Sequence, residues 1–514
     1  MYSESIDIRA RNDKYRTTLT TISKQQIARI ITSNVSFVSF TNEIQNVVRH
    51  HQGRVPMKKQ LAVLLSATML TSLLAGCAVS TDTGSGSGSG SAAAATESTD
   101  AAAADTTAAS GEAEEITWMF WDDLEATEDL ISLGYKQTIE RFNKDYEGVY
   151  HVTPITTNLE EYYPKLNALV ASGDVPDVFI VSPGPNLDVY VDPGVAAPLD
   201  DYLAQDGWKD SFSSDAVFAQ QTYDGKIYAV PLNIAAACVF YNTEMFEKAG
   251  AKVPTTWDEL IDDCEKLKAA GYTPVTISAG TAWCLSMLAG YLCDREGVDL
   301  EKVESGAESW KNDKTVAAGE KLLQLAQYFQ PTAAGDTNDV ATAAFYNEEA
   351  AILIQGSWAI AQMNGSNPDI ESKCGVFQFP GIEGGNDAGR IIAKSDSLAM
   401  SSSTKHPEAC VALMKYFTDE TAQKYTAEVG GKIPVTDVEY DADKAPKQLA
   451  YVMDVFSNAS ATFGFYNESL ATTEAGSQFD DTMVSMYLGD YTPEEAFQSL
   501  EDWYSDTNPG GVRN

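Results

Sequence analysis

An α/β fold is predicted for the 400 residues from Glu115 to Asn514, and three observations predict it. Short β-branched or aromatic runs alternate with amphipathic helical patterns through the first half, the order of helices laid against a sheet. Two helices announce themselves by complete N-terminal capping signatures. No segment recurs at a fixed period, which excludes a solenoid or a propeller. The whole chain of 514 residues, 44% hydrophobic and 21% charged, has length for two or three domains.

The first strand is read from Ile116-Thr-Trp-Met-Phe-Trp121, and the stretch around Leu130 to Tyr146 as a helix. Val149 to Thr157 is a strand, Glu160 to Ser172 a helix, and Pro176-Asp-Val-Phe-Ile-Val181 returns as a strand. Parallel strands with helical crossovers place ligands beyond their carboxyl ends, here near Trp121-Asp122 and Ser182-Pro183-Gly184. The helix from Trp257 has Thr256 as N-cap and Glu259 three residues on, with Trp257, Leu260, Ile261, Cys264 and Leu267 on one face and Gly271 at its stop. Thr273 to Ser278 follows as a strand. Thr492-Pro-Glu-Glu495 opens a last helix with Ala496, Phe497, Leu500 and Trp503 facing inward.

The formal charge of −39 and a pI near 4.3 argue against nucleic acid as a partner, since that affinity comes from clustered Lys and Arg. Only His151 and His406 lie beyond residue 57, far apart, so a His-based metal site or triad has little to work with. Six Cys follow Cys77: Cys238, Cys264, Cys284, Cys293, Cys374 and Cys410, with no CxxC pair. Cys284 and Cys293 are the closest two and could form a disulfide, whereas Cys238 and Cys264 read as small buried hydrophobes.

The first 114 residues are set apart from the fold. Met57-Lys-Lys-Gln60, an apolar run from Leu61 to Leu74, then Ala75-Gly76-Cys77 has the basic, apolar and small-residue order of a signal peptide. The run is too short for a spanning helix, which needs roughly 20 residues. Leu74-Ala-Gly-Cys77 resembles the lipobox of bacterial lipoproteins, which implies cleavage before Cys77 and its lipidation. Ala78 to Glu114 holds no aromatic residue, no Lys and no Arg, and cannot form a core. As a flexible tether it would reach about 35 Å. Residues 1–56 are expected to be an upstream extension, 57–76 the signal peptide, and 77–114 the lipidated Cys and linker. Removal of residues 1–76 leaves 25 Lys and Arg against 70 Asp and Glu, an acidic exported body.

Walker, GxGxxG, GxSxG, HExxH and EF-hand patterns are absent from the sequence. Carboxylate pairs such as Asp122-Asp123 and Glu348-Glu349 fit a glycosidase, but such an acidic chain makes pairs common by chance, and a solvated face is the favoured reading.

A series of segments in order resembles the extracellular solute-binding proteins of ABC transporters, in particular the family that binds sugars and oligosaccharides. These are Val175-Pro-Asp-Val-Phe-Ile-Val181, Gly194-Val-Ala-Ala-Pro-Leu-Asp-Asp-Tyr202, Tyr223 to Leu232, Val239 to Phe246, Pro254-Thr-Thr-Trp-Asp-Glu-Leu260, Gly356-Ser-Trp-Ala-Ile360, Tyr416-Phe-Thr-Asp419, Gly430-Gly-Lys-Ile-Pro434 and Tyr491-Thr-Pro-Glu-Glu495. The resemblance implies a two-lobed periplasmic-binding-protein-like fold of type II with a hinge. One lobe would be 115–232 plus 398–447, the other 233–397 plus 448–510.

It also implies a site. Trp358 is the leading stacking platform, with a core position after Ile352-Leu-Ile354 as its alternative. Trp121 and Asp122 end the first strand, where relatives contact ligand, although Trp121 could pack inward. Ser182 and Gly184 match the cleft loop or simply make a turn. Asn233 lies at the crossover, as a ligand contact or a hinge hydrogen bond, and Trp283 and Tyr466 line the cleft from the second lobe or belong to the core. Ala235 to Ala237 stand where some relatives carry a carboxylate or bulkier polar residue. Few basic residues sit near these positions.

What the resemblance implies for function is a monomeric lipoprotein on the outer face of the cell membrane. It would bind a small carbohydrate by closure of two lobes and hand it to an ABC permease, without cofactor, metal, nucleic acid or catalytic turnover. The alternatives are the same fold tuned to another solute, such as a polyamine, an opine or a phosphorylated sugar, a secreted carbohydrate-active enzyme, and an adhesive surface lipoprotein.

Overall fold

The continuous apolar run Ile116 to Phe120 is the signature of a strand covered on both faces, and it forms the centre of the first sheet. A computed structural model of the chain describes residues 113–126 and 129–513; the signal segment, Cys77 and most of the linker lie outside the described residues. Thirteen strands follow in order: β1 (Glu114–Phe120), β2 (Tyr150–Thr156), β3 (Val178–Val181), β4 (Thr222–Tyr223), β5 (Lys226–Ile227), β6 (Ala229–Pro231), β7 (Ala235–Asn242), β8 (Thr273–Thr276), β9 (Ala350–Gly356), β10 (Cys374–Phe377), β11 (Arg390–Lys394), β12 (Ser397–Met400) and β13 (Ala461–Phe463).

The chain folds as a two-lobed α/β protein, one sheet to each lobe. In the first lobe the order is β2-β1-β3-β12-β6, with β1 parallel to β2 and β3, and β12 antiparallel to β3 and β6. In the second it is β13-β11-β7-β9-β8, and β10 also pairs with β7. β4 and β5 form a small separate hairpin.

Asp177 anchors the start of β3. Its Oδ2 accepts from the backbone N of Thr117 at 2.9 Å and from the Thr117 hydroxyl at 2.8 Å, and its Oδ1 accepts from the Thr404 hydroxyl at 2.6 Å. One carboxylate thus ties β1 to β3 and to the loop after β12, and fixes where the strand ends project.

The helices cap as their sequences require. Thr256 and Glu259 make a reciprocal capping box on Trp257–Ala269, and Thr492 and Glu495 make another on Pro493–Thr507. The buried faces differ slightly from the periodicity: Asp263 and Tyr504 are buried, while Ile261 and Trp503 are half-exposed. Strand β1 also ends one residue early, at Phe120, which leaves Trp121 in the loop.

All six cysteines of the body are buried. Cys284 and Cys293 occupy one helix, Ala282–Arg295. Nine residues of helical rise separate them by about 13 Å, so a bridge between them is excluded by geometry. At the end of that helix fully buried Arg295 pairs with Asp294 at 2.6 Å and donates to the carbonyls of Phe379, Pro380, Ala388 and Arg390. This charge is saturated by partners, as a buried guanidinium must be, and it anchors the loop that leads into β11.

Three crossovers between the sheets lie side by side. Leu232 donates its N–H to the Asp396 carbonyl at 2.9 Å, joining the β6–β7 and β11–β12 crossovers. Ile234 pairs antiparallel with Ile433 of the third.

Candidate ligand-binding site

The loops after β1 and β3 meet the second sheet at the last residue of β11, Lys394. Its ammonium donates to Ser182 Oγ at 3.1 Å and to Glu468 Oε1 at 3.0 Å, and lies 3.5 Å from Asp396 Oδ1. Burial opposes the lysine's charge, but Glu468 and Asp396 outweigh it and hold its pKa above the ordinary lysine range. Beside it is a pocket of about 230 Å³ lined by Pro183, Gly184, Gln220, Lys394, Phe465 and Glu468, among others.

Gly184 closes the contact from the other side. Its backbone has φ 70° and ψ −146°, a conformation reserved for glycine. A Cβ there would sit 2.4 Å from the Glu468 carbonyl oxygen. Neighbouring Ser182 is oriented by its N–H, which donates to the Tyr163 hydroxyl at 3.0 Å.

The aromatic part of the site lies in the second lobe. Trp283, Trp358 and Phe465 form a triangle with ring centroids 5.7 to 6.1 Å apart. Trp358 Nε1 donates to Gln355 Oε1 at 2.5 Å, and its ring lies over Gly356, where a Cβ would come within 2.2 Å of ring carbon. Lys394 Nζ stands 5.1 Å from the Phe465 ring centre, so the polar and aromatic parts are contiguous.

Asp122 is half-exposed, yet its carboxyl pKa is raised well above the usual range. Desolvation is the main cause; Asp129, Asp339 and Asp396 add to it, and Lys432 opposes it. Trp121 is half-buried, edge-on to Tyr162 at 5.2 Å and stacked near Phe120 at 6.3 Å. Its body thus belongs to the first lobe's aromatic cluster.

Two of the residues expected at the site are placed elsewhere. Asn233 is fully buried and donates Nδ2 to the Tyr135 hydroxyl at 3.1 Å, a hinge hydrogen bond. Tyr466 is buried in the core against Phe479 and over Gly290, because the short helix Tyr466–Ser469 turns its first residue inward. Ser182 and Gly184 come together at the pocket, and Trp283 and Trp358 at the aromatic triangle. Sequence reading missed Lys394, Phe465 and Glu468. The signal for Lys394 was the polar triplet Lys394-Ser395-Asp396 between two apolar strand runs.

Comparison with known proteins follows the same lines. A family model described as bacterial extracellular solute-binding protein matches residues 128–424. The "Multiple sugar-binding protein" of Streptococcus mutans is 28% identical over 348 residues, 61% of this chain and 79% of that one. A "Probable sugar-binding periplasmic protein" of Rhizobium meliloti is 27% identical over 351 residues, 65% of this chain and 81% of that one. Among solved structures, a "Chitin oligosaccharide binding protein" superposes with TM-score 0.71 at 24% identity, covering 77% of this chain and all of that one. A protein from work on xylan utilisation by Caldanaerobius polysaccharolyticus gives 0.70 at 25% identity, covering 76% and 99%.

Proposed function

The chain belongs to the bacterial extracellular solute-binding protein family, and from that membership we propose that its solute is a carbohydrate, captured by closure of the two lobes. The observation that carries this reading is the contiguity of the Trp283–Trp358–Phe465 triangle with Lys394, Ser182 and Glu468. A sugar offers apolar C–H faces and a ring of hydroxyls, and such a ligand needs aromatic surfaces beside fixed polar groups. The sugar-binding names of the relatives support the same class.

In this reading Trp283 and Trp358 supply stacking surface, Trp121 and Asp122 bound the cleft from the first lobe, and Ser182 and Gly184 form the closing edge. The lobes are 115–232 with 398–447 and 233–397 with 448–510. A ligand shifts lobe populations only by binding the closed form better, and Ser182 and Gly184 meet the other lobe only in that form. The monomer hands its solute to an ABC permease, and lipidated Cys77 with the linker to Glu114 holds it at the membrane's outer face. No helix among the described residues is long and apolar enough to cross a membrane.

A thermal-shift screen against mono- and oligosaccharides, polyamines and amino acids tests the proposal, with each ligand's recovery checked by mass spectrometry. At one hundred times Kd a ligand adds about 2.7 kcal/mol. The expected result is a shift of a few degrees with a sugar recovered intact. A shift with polyamines alone, or a sugar returned cleaved, contradicts it.

A further inference from the structure

Lys432 lies in the third crossover, within Gly430-Gly-Lys-Ile-Pro434, and only 7% of its surface is exposed. Among the described residues its ammonium has no ion-pair or hydrogen-bond partner. The residue is enclosed and its charge bears on the Asp122 carboxyl, yet the ammonium makes no bond of its own and is left to meet a ligand.

Register shows why the protein does not satisfy it. The antiparallel bridge between Ile234 and Ile433 sets Lys432 opposite Ala235, and on the other side of the same residue β11 sets Lys394 opposite Ala235. Residues paired across strands project to the same face, so the two lysines flank one alanine and share a face. Lys394 is engaged by Ser182, Glu468 and Asp396, whereas the position facing Lys432 is a methyl group.

We propose that Lys432 is a ligand-binding residue whose ammonium donates to a hydroxyl or ring oxygen of a neutral sugar. A hydroxyl oxygen accepts such a bond, so a neutral polyol satisfies the ammonium. The assignment rests on the sugar reading of the cleft. Acidic sugars are disfavoured because Asp122, Asp129, Asp339, Asp396 and Glu468 outnumber Lys394 and Lys432 in the same region.

The test compares wild type with Lys432→Met and Lys432→Gln, verified as folded by circular dichroism. It uses melting without ligand and titration with maltotriose, raffinose, xylotriose, chitobiose and galacturonate. Without ligand, Lys432→Met should melt at or above wild type, since the ammonium forms no hydrogen bond or ion pair that the variant would lose. Affinity for whichever neutral sugar binds wild type should fall tenfold or more in both variants. A lower melting temperature in both variants, or unchanged affinity, overturns the assignment, and tighter binding of galacturonate than of any neutral sugar overturns the ligand class. If Lys432→Met melts at or above wild type yet wild type binds no sugar, Lys432 keeps its place in the ligand site and the sugar reading fails.

Discussion

Lys394 Nζ and Ser182 Oγ are joined at 3.1 Å across the two lobes, and the same ammonium is held by Glu468 from the second lobe. The bond joins the last residue of β11 to the loop after β3, one residue from each sheet. Lys394→Met leaves Glu468 and Asp396 without their cation, and breaking a buried pair on one side costs about 3 kcal/mol or more. Ligand affinity and ligand-bound melting temperature should both fall, and calorimetric titration with melting curves measures both.

Gly184→Ala should block closure more than it harms the fold. The substitution places a Cβ 2.4 Å from the Glu468 carbonyl oxygen, a rigid backbone atom of the opposite lobe, and forces alanine into a glycine conformation. Sugar affinity is expected to drop by at least tenfold. Circular dichroism should remain that of wild type.

Trp358→Ala should weaken sugar binding by about 1 kcal/mol or more, the scale of a lost aromatic contact. Gly356→Ala should weaken it similarly without touching the indole itself, because its methyl group would displace the Trp358 ring. Equal affinity of wild type and both folded variants would assign Trp358 to the core alone.

Asp480 gives the protein a measurable pH dependence. Burial is the main cause that pushes its carboxyl up to about 6, against the nearby Ser286 hydroxyl and the hydrogen bond from Asn467 that lower it. A carboxyl whose folded pKa is raised contributes stability that is fully present below its unfolded pKa near 4 and is lost as pH rises through about 6. Asp480→Asn should therefore remove about 2 kcal/mol of the stability difference between pH 4 and pH 7. Denaturant titrations of both proteins at the two pH values read it.

Fatty-acid analogue labelling of cells should tag wild type and leave Cys77→Ala untagged. Tagging that persists in the variant would remove the lipobox assignment.

The sheet and its ligand-facing ends were legible in the sequence because strands and caps are local, whereas the Asp177 tie to Thr117 and Thr404 spans 60 and 227 residues. Thr256 with Glu259 and Thr492 with Glu495 cap their helices by contacts three residues long. The site was legible only in part. Ser182 and Gly184 could be placed because they follow a recognisable strand, whereas Lys394 and Glu468 meet across 74 residues and no local pattern encodes that meeting. Asn233 and Tyr466 looked like cleft residues by position, but the direction of each side chain is set by neighbours distant in the chain, Tyr135 in one case and Phe479 in the other. Lys432 sits within Gly430-Gly-Lys-Ile-Pro434, but a lysine's lack of a partner is visible only once the three crossovers are assembled.

Lobe closure on a sugar is the centre of this account, and small-angle scattering measures it most directly. Wild-type protein should show a smaller radius of gyration when saturated with the sugar found by thermal shift, and Gly184→Ala should keep its larger radius under the same conditions. An unchanged wild-type radius at saturation would contradict capture by closure.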